Sequence, residues 1–172
     1  ITPKIKNQSQ YIEIKGATLK NALGHVLVAA QFSDLRPELN SVFLNFLGDS
    51  IKLTATDSFR LAEKIILKDQ FNSNHKEPFS LLVPLKTAQE VIRVFDNEAI
   101  LKIYHDDSQV LFKTDQTELL SRLLDGKFPD YEAIIPKKFS GEIVVSRQEL
   151  QSALKLTSVF GSKSNEVRLK AK

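Results

Sequence analysis

The sequence predicts an α+β fold in which helices lie on one face of antiparallel sheets. Three observations predict it. Apolar residues alternate over short stretches, as half-buried strands require. Apolar residues at three-and-four spacing, the mark of an amphipathic helix, follow directly on three of those stretches. And one order of elements (strand, helix, three strands) occurs twice, with a third, shorter occurrence after it.

The first unit opens with "YIEIKGATLKNALGHVLVAAQ" (Tyr11 to Gln31), an alternating strand that runs into a helix with Leu19, Leu23, Val26 and Ala30 on one face. Three strands follow, "SVFLNFLG", "SIKLTATD" and "RLAEKIIL", separated by turns at Gly48-Asp49 and Asp57-Ser58. The second unit opens with "FSLLVPLKTAQEVIRVF" (Phe79 to Phe95), where Pro84 suits a helix start and Leu85, Ala88, Val91, Ile92 and Phe95 share a face. Its strands are "AILKIYHD", "SQVLFKTD" and "TELLSRLL", split at Asp106-Asp107-Ser108 and Asp115-Gln116. The third opens with "GEIVVSRQELQSALKLTSVFG", in which Leu150, Ala153, Leu154 and Thr157 share a face behind a capping box of Ser146 and Glu149, and Gly161 fits a C-terminal cap. One more strand, "NEVRLKAK", ends the chain at Lys172. This organisation divides the chain into a linker (1–10), a domain of two full units (11–125), a proline-stiffened linker (126–139) and the opening of a further domain (140–172).

Composition excludes several classes. With 42% hydrophobic and 26% charged residues the chain is ordinary globular material. It has no cysteine, hence no disulfide, thiolate nucleophile or cysteine-built metal site. It has neither an 18-residue apolar run nor a signal segment, which predicts a cytoplasmic location with no membrane partner. It begins at Ile1 and holds no methionine, which predicts a piece of a longer chain. His25, His75 and His105 are scattered without metal-ligand spacing, and a hairpin turn accounts for the Asp106-Asp107 pair. Ser58, Ser80 and Ser146 lack a nucleophile elbow, and six glycines build no phosphate loop. No catalytic residue, metal site or cofactor is expected.

Two features ask for a partner. The helices' polar faces are rich in cations and amides: Lys20, Asn21, His25 and Gln31 on the first, Lys86, Gln89 and Arg93 on the second, Arg147, Gln151 and Lys155 on the third. Such faces can meet phosphates without reading bases, although solvated surface helices also carry these residues. The net charge of +3 is only mildly basic. In "TATDSFRLAE" (Thr54 to Glu63), a ring and a guanidinium, Phe59 and Arg60, crowd a turn that Asp57-Ser58 would satisfy alone.

"LTATDSFRLAE" and "LLDGKFPDYEAIIP", with the repeated unit, closely resemble the bacterial DNA sliding clamp family, the beta subunit of the replicative DNA polymerase III. The resemblance covers essentially the whole chain as the middle of three domains and the start of the third. It implies a DNA-clamp fold and a non-catalytic processivity factor: the full-length chain dimerises head to tail into a ring around duplex DNA, and this piece alone is a monomer. Lys20, Lys86, Arg93 and Lys155 would then look into the pore. It further implies that the DNA polymerase and the clamp loader dock through a short linear motif with glutamine at its head and leucine-phenylalanine-like residues at its end. The matching pocket residues are Leu39, Thr56, Ser58, Phe59, Arg60 and Leu61, with Pro129, Ala133 and Ile134 from the linker. This sequence departs from the family where Ser58-Phe59 replaces a frequent Gly-His and where Ala133 replaces a basic residue. The alternative reading is a free-standing, sequence-independent nucleic-acid-binding module.

Overall fold

The computed structural model describes residues 5, 8–33, 35–160 and 167–170. They form two compact units, 1–129 and 130–172. In the first unit the strands are β1 (Ile12–Lys15), β2 (Ser41–Phe46), β3 (Ser50–Thr56), β4 (Leu61–Leu67), β5 (Phe71–Ser73), β6 (Phe79–Pro84), β7 (Ile100–His105), β8 (Gln109–Lys113) and β9 (Glu118–Arg122). Its helices are α1 (Gly16–Leu27) and α2 (Leu85–Val94). All eight strands expected in the two full units form. The three-residue β5 was not foreseen, since "FNS" is too short and too polar to carry an alternation.

The strands form two antiparallel sheets, ordered β5-β1-β7-β8-β9 and β4-β3-β2-β6. Each full repeat therefore lends its first strand to the other. β1 pairs with β7 through Ile12↔Ile103 and Ile14↔Leu101, and β6 pairs with β2 through Leu81↔Leu44 and Val83↔Val42. Matching backbone bonds close the exchange. Gly16 N–H donates to Ala99 C=O at 2.8 Å, and Leu85 N–H donates to Asn40 C=O at 2.9 Å. Sequence repetition is thus expressed as reciprocal strand exchange, and neither repeat can bury its own sheet face alone.

One core results. Leu19, Leu23 and Val26 of α1, Ala88 and Val91 of α2, and Val42, Leu44, Phe46, Leu53, Leu101, Ile103 and Phe112 from both sheets pack together. Burying that much apolar area supplies the main favourable term of folding. Phe46 sits at its end, stacked on Phe79 at 5.0 Å and edge-on to Phe71 at 6.0 Å. The expected apolar stripes of α1 and α2 are buried or half-buried, except that α1 ends at Leu27 and leaves Ala30 beyond it. Gly16 is required where it stands: a Cβ there would lie 2.1 Å from the Asp96 carbonyl oxygen. Ile5, within the expected opening linker, is buried in a small cluster with Tyr104 and Leu111.

The second unit contains α3 (Arg147–Ser158), capped by Ser146, whose Oγ accepts from Glu149 N–H at 3.4 Å. The capping residues were legible in sequence; the strands around them did not form. Residues 141–145 adopt no strand, and neither do 167–170 of the expected terminal strand, whose remainder, like the Gly161 cap, lies outside the described residues. A strand needs a partner ladder, and "GEIVV" finds none among the described residues. Correspondingly, α3 buries none of its residues.

Candidate functional site

The turn between β3 and β4 is held in shape by its own side chains. Thr56 Oγ1 donates to Arg60 C=O at 2.7 Å and accepts from Ser58 N–H at 3.1 Å. Asp57 Oδ1 accepts from Phe59 N–H at 2.9 Å and Arg60 N–H at 2.7 Å. Its Oδ2 accepts from Arg60 Nε and Nη2 at 2.9 and 2.7 Å, two charge-assisted bonds converging on one oxygen. The Arg60 backbone N–H leads these donors, followed by its guanidinium and the Phe59 N–H. Together they outweigh burial and lower the Asp57 pKa to about 2. Ser58 adopts φ 76°, the left-handed region that favours glycine.

Closing the turn in this way pushes Phe59 outward, 95% exposed. Beside it lies a cavity of about 190 Å³ lined by Gln31, Phe32, Ser33, Leu39, Asp57, Ser58 and Phe59. Leu39 forms its floor, only 2% exposed, at the end of a 3₁₀ turn spanning Pro37–Leu39. Arg36 Nη1 reaches Ser58 Oγ at 3.3 Å and ties that segment to the turn. Of the expected pocket residues, Leu39, Ser58 and Phe59 meet at this cavity. Thr56, Arg60 and Leu61 sit on the same turn but do not line it. Pro129 is half-buried at the end of the first unit. Ala133 and Ile134 belong to the second unit, in a turn closed by Ile134 N–H donating to Tyr131 C=O at 3.2 Å, with Ile134 73% exposed.

The Thr56 hydroxyl and two of Arg60's guanidinium donors bond within the turn. Phe32, 69% exposed on the cavity wall, was missed because it follows a helix and carries no periodic signal.

The expected cations are unequally available. Lys86 is exposed on α2. Arg93 is exposed but paired with Glu90 on the same helix. Lys20 donates from Nζ to Phe95 C=O at 2.9 Å, capping the C-terminus of α2 and pinning α1 to it. Lys155 is exposed on α3, in the second unit.

Among the described residues no group of three or more histidine and carboxylate ligands forms. His75 and His105, scattered in sequence, in fact stack at 5.2 Å against Phe79. Burial lowers the pKa of both, with His105 adding to the effect on His75, so each favours the neutral form. Asp106 forms the expected turn, its Oδ1 accepting from Ser108 and Gln109 N–H at 2.9 and 2.8 Å. No helix of the described residues is long and apolar enough to cross a membrane.

Residues 13–130 match the model of the DNA polymerase III beta subunit central domain. The chain belongs to the DNA polymerase III beta subunit family. It is 32% identical over 164 residues to the beta sliding clamp of Bacillus subtilis, a match covering 94% of this chain and 43% of that protein. The chain thus spans less than half the length of the curated relatives it matches. Its fold superimposes on the Bacillus subtilis sliding clamp crystal structure with a TM-score of 0.87 at 29% identity, covering 95% of this chain and 42% of that one. A Pseudomonas aeruginosa sliding clamp bound to griselimycin matches with a TM-score of 0.76 at 25% identity, covering 91% and 42%. These likenesses establish the α+β clamp fold for this chain.

Proposed function

We propose that this chain is the middle domain and the opening of the third domain of a sliding clamp, a non-catalytic processivity factor that encircles duplex DNA and tethers replication proteins to it. The observation that carries this reading is the family match over residues 13–130, which spans both full repeats. The boundaries proposed are a linker over 1–10, the middle domain over 11–125, a linker over 126–139 and the start of the third domain from 140. In the full-length chain two copies form the ring head to tail. Lys86 and Arg93, with Lys20 and Lys155, supply positive potential toward phosphates; only the exposed ones make contact. Binding of this kind holds DNA without reading its bases.

The β3–β4 turn is the docking point for the polymerase and the clamp loader. Leu39, Phe59 and Leu61, with Pro129, Ala133 and Ile134 from the linker, offer apolar contact to a leucine-phenylalanine end, and Ser58 and the free face of Arg60 meet polar atoms. Thr56 and Asp57 hold the turn in its binding shape beforehand, which lowers the ordering cost of association. A Pseudomonas aeruginosa relative that carries a bound ligand supports a ligand-accepting surface on this fold. The names of the relatives favour the clamp over a free-standing nucleic-acid-binding module.

The test is retention on DNA by the full-length chain. A clamp loaded on nicked circular plasmid stays bound through a high-salt wash and is lost when the plasmid is linearised. Equal loss from circle and line would leave the free-standing module as the better reading.

A further inference from the structure

A second groove lies away from the turn and shares no lining residue with the cavity beside Phe59. Its volume is about 510 Å³. One wall is β6, an edge strand whose only sheet neighbour among the described residues is β2. Leu82 C=O accepts from Leu124 N–H at 3.0 Å, so the Leu82 peptide groups point away from β2. Backbone groups alternate sides along a strand, which turns the N–H and C=O of Ser80 the same way. Among the described residues no hydrogen bond outside the sheet ladder reaches the Ser80 backbone. The segment at Leu124 thus covers one rung of the edge and leaves the next rung open to the groove. An open rung of this kind is a template for another strand.

The rest of the groove states what that strand should carry. Phe79, Leu82 and Leu124 give it apolar walls. Asp106, Asp107 and Asp125 line it against a single lysine, Lys127. Asp106 is occupied by its own turn, whereas Asp107 and Asp125 make no ion pair among the described residues. We propose that this groove binds an extended basic and apolar peptide segment of a partner protein, which adds a strand to β6 at Ser80. Main-chain bonds to the edge supply affinity; apolar side chains enter between Phe79 and Leu124, and lysine or arginine side chains meet Asp107 and Asp125. The proposal stands apart from the clamp reading and survives or fails without it.

The test is a titration of the 172-residue chain followed by amide NMR, with acetyl-Lys-Val-Lys-Leu-Lys-amide as probe and the peptide with glutamate for every lysine as control. The basic peptide is expected to shift Ser80, Leu82, Asp107 and Asp125 saturably, at least about tenfold more tightly than the acidic one. Ser80→Pro removes the edge N–H, at a position where an edge strand tolerates proline, and should abolish binding. If that variant loses its dispersed spectrum, the Asp107→Asn/Asp125→Asn pair decides instead, by lowering the basic peptide to the level of the acidic one. Leu61→Asp should leave this binding untouched. No saturable shift at millimolar peptide, equal affinity for both peptides, or full affinity in the paired asparagine variant would overturn the proposal.

Discussion

At the scale of single residues the β3–β4 turn shows how function is prepared before any partner arrives. Asp57 is the side chain on which the turn depends. Its side chain is 5% exposed and accepts four hydrogen bonds. Its ordinary unfolded pKa is about 3.9 and the folded value about 2, so the carboxylate form is the one the fold prefers. The stabilisation it contributes is therefore complete above about pH 4 and is lost as the pH falls through the folded value. We expect Asp57→Asn to destabilise the first unit by about 1–2 kcal/mol at neutral pH, from hydrogen bonds left unmade. Between pH 5 and pH 2 the denaturant midpoints of variant and native protein should converge. Parallel curves across that range would mean that Asp57 does not carry the turn. Ser58 holds a positive φ that glycine would adopt more readily, and its hydroxyl recovers one contact, to Arg36.

At the scale of elements, the two helices do different work. α2 presents Lys86 outward, whereas Lys20 of α1 is spent in bonding to the end of α2. A duplex should bind the chain weakly, with two to four phosphates neutralised and a log–log salt slope of roughly 0.9 for each. Lys86→Glu is expected to lower that slope by about 0.9 and to weaken binding equally for duplexes of different sequence. Loss for one sequence alone would point to base readout. The seating of α1 depends on a close approach: Gly16→Ala drives a Cβ into the Asp96 carbonyl and should cost about 2–3 kcal/mol in urea unfolding. A cost below about 0.5 kcal/mol would show that the 96–99 segment yields freely. These elements also mark what was legible in the sequence. Local periodicity revealed α1, α2 and eight strands, because each carries its pattern in adjacent residues. The exchange of β1 and β6 between repeats was hidden, since pairing partners lie far apart in the chain. The strand at 141–145 was legible as a pattern and still did not form, because a pattern needs a ladder to pair with. At the site, Phe59 and Arg60 stood out as misfits in a turn, yet the Asp57–Arg60 clamp and the wall at Phe32 required three-dimensional knowledge.

At the scale of the whole molecule, the first unit is a self-supporting core and the second holds one capped helix with its apolar face uncovered. That asymmetry bears on the docking surface, because the linker residues proposed for it, Ala133 and Ile134, fall in the second unit. We therefore expect this chain to bind a clamp-directed peptide more weakly than the full-length protein, by about 1.5–3 kcal/mol if a third of the apolar contact is missing. The most direct measurement is an amide NMR titration of the 172-residue chain with a peptide that has glutamine at its head and leucine-phenylalanine at its end, beside the Leu61→Asp variant. Leu61 opens β4 and is half-buried at the rim, so the substitution spares the core but puts an unpaired carboxylate against the peptide's apolar end, at a cost of about 2–4 kcal/mol. The account predicts shifts centred on Thr56 to Leu61 and at Phe32, and their loss in Leu61→Asp with an unchanged circular dichroism spectrum. Shifts centred on α1 and α2, or a Leu61→Asp variant that binds as well as the native chain, would contradict it.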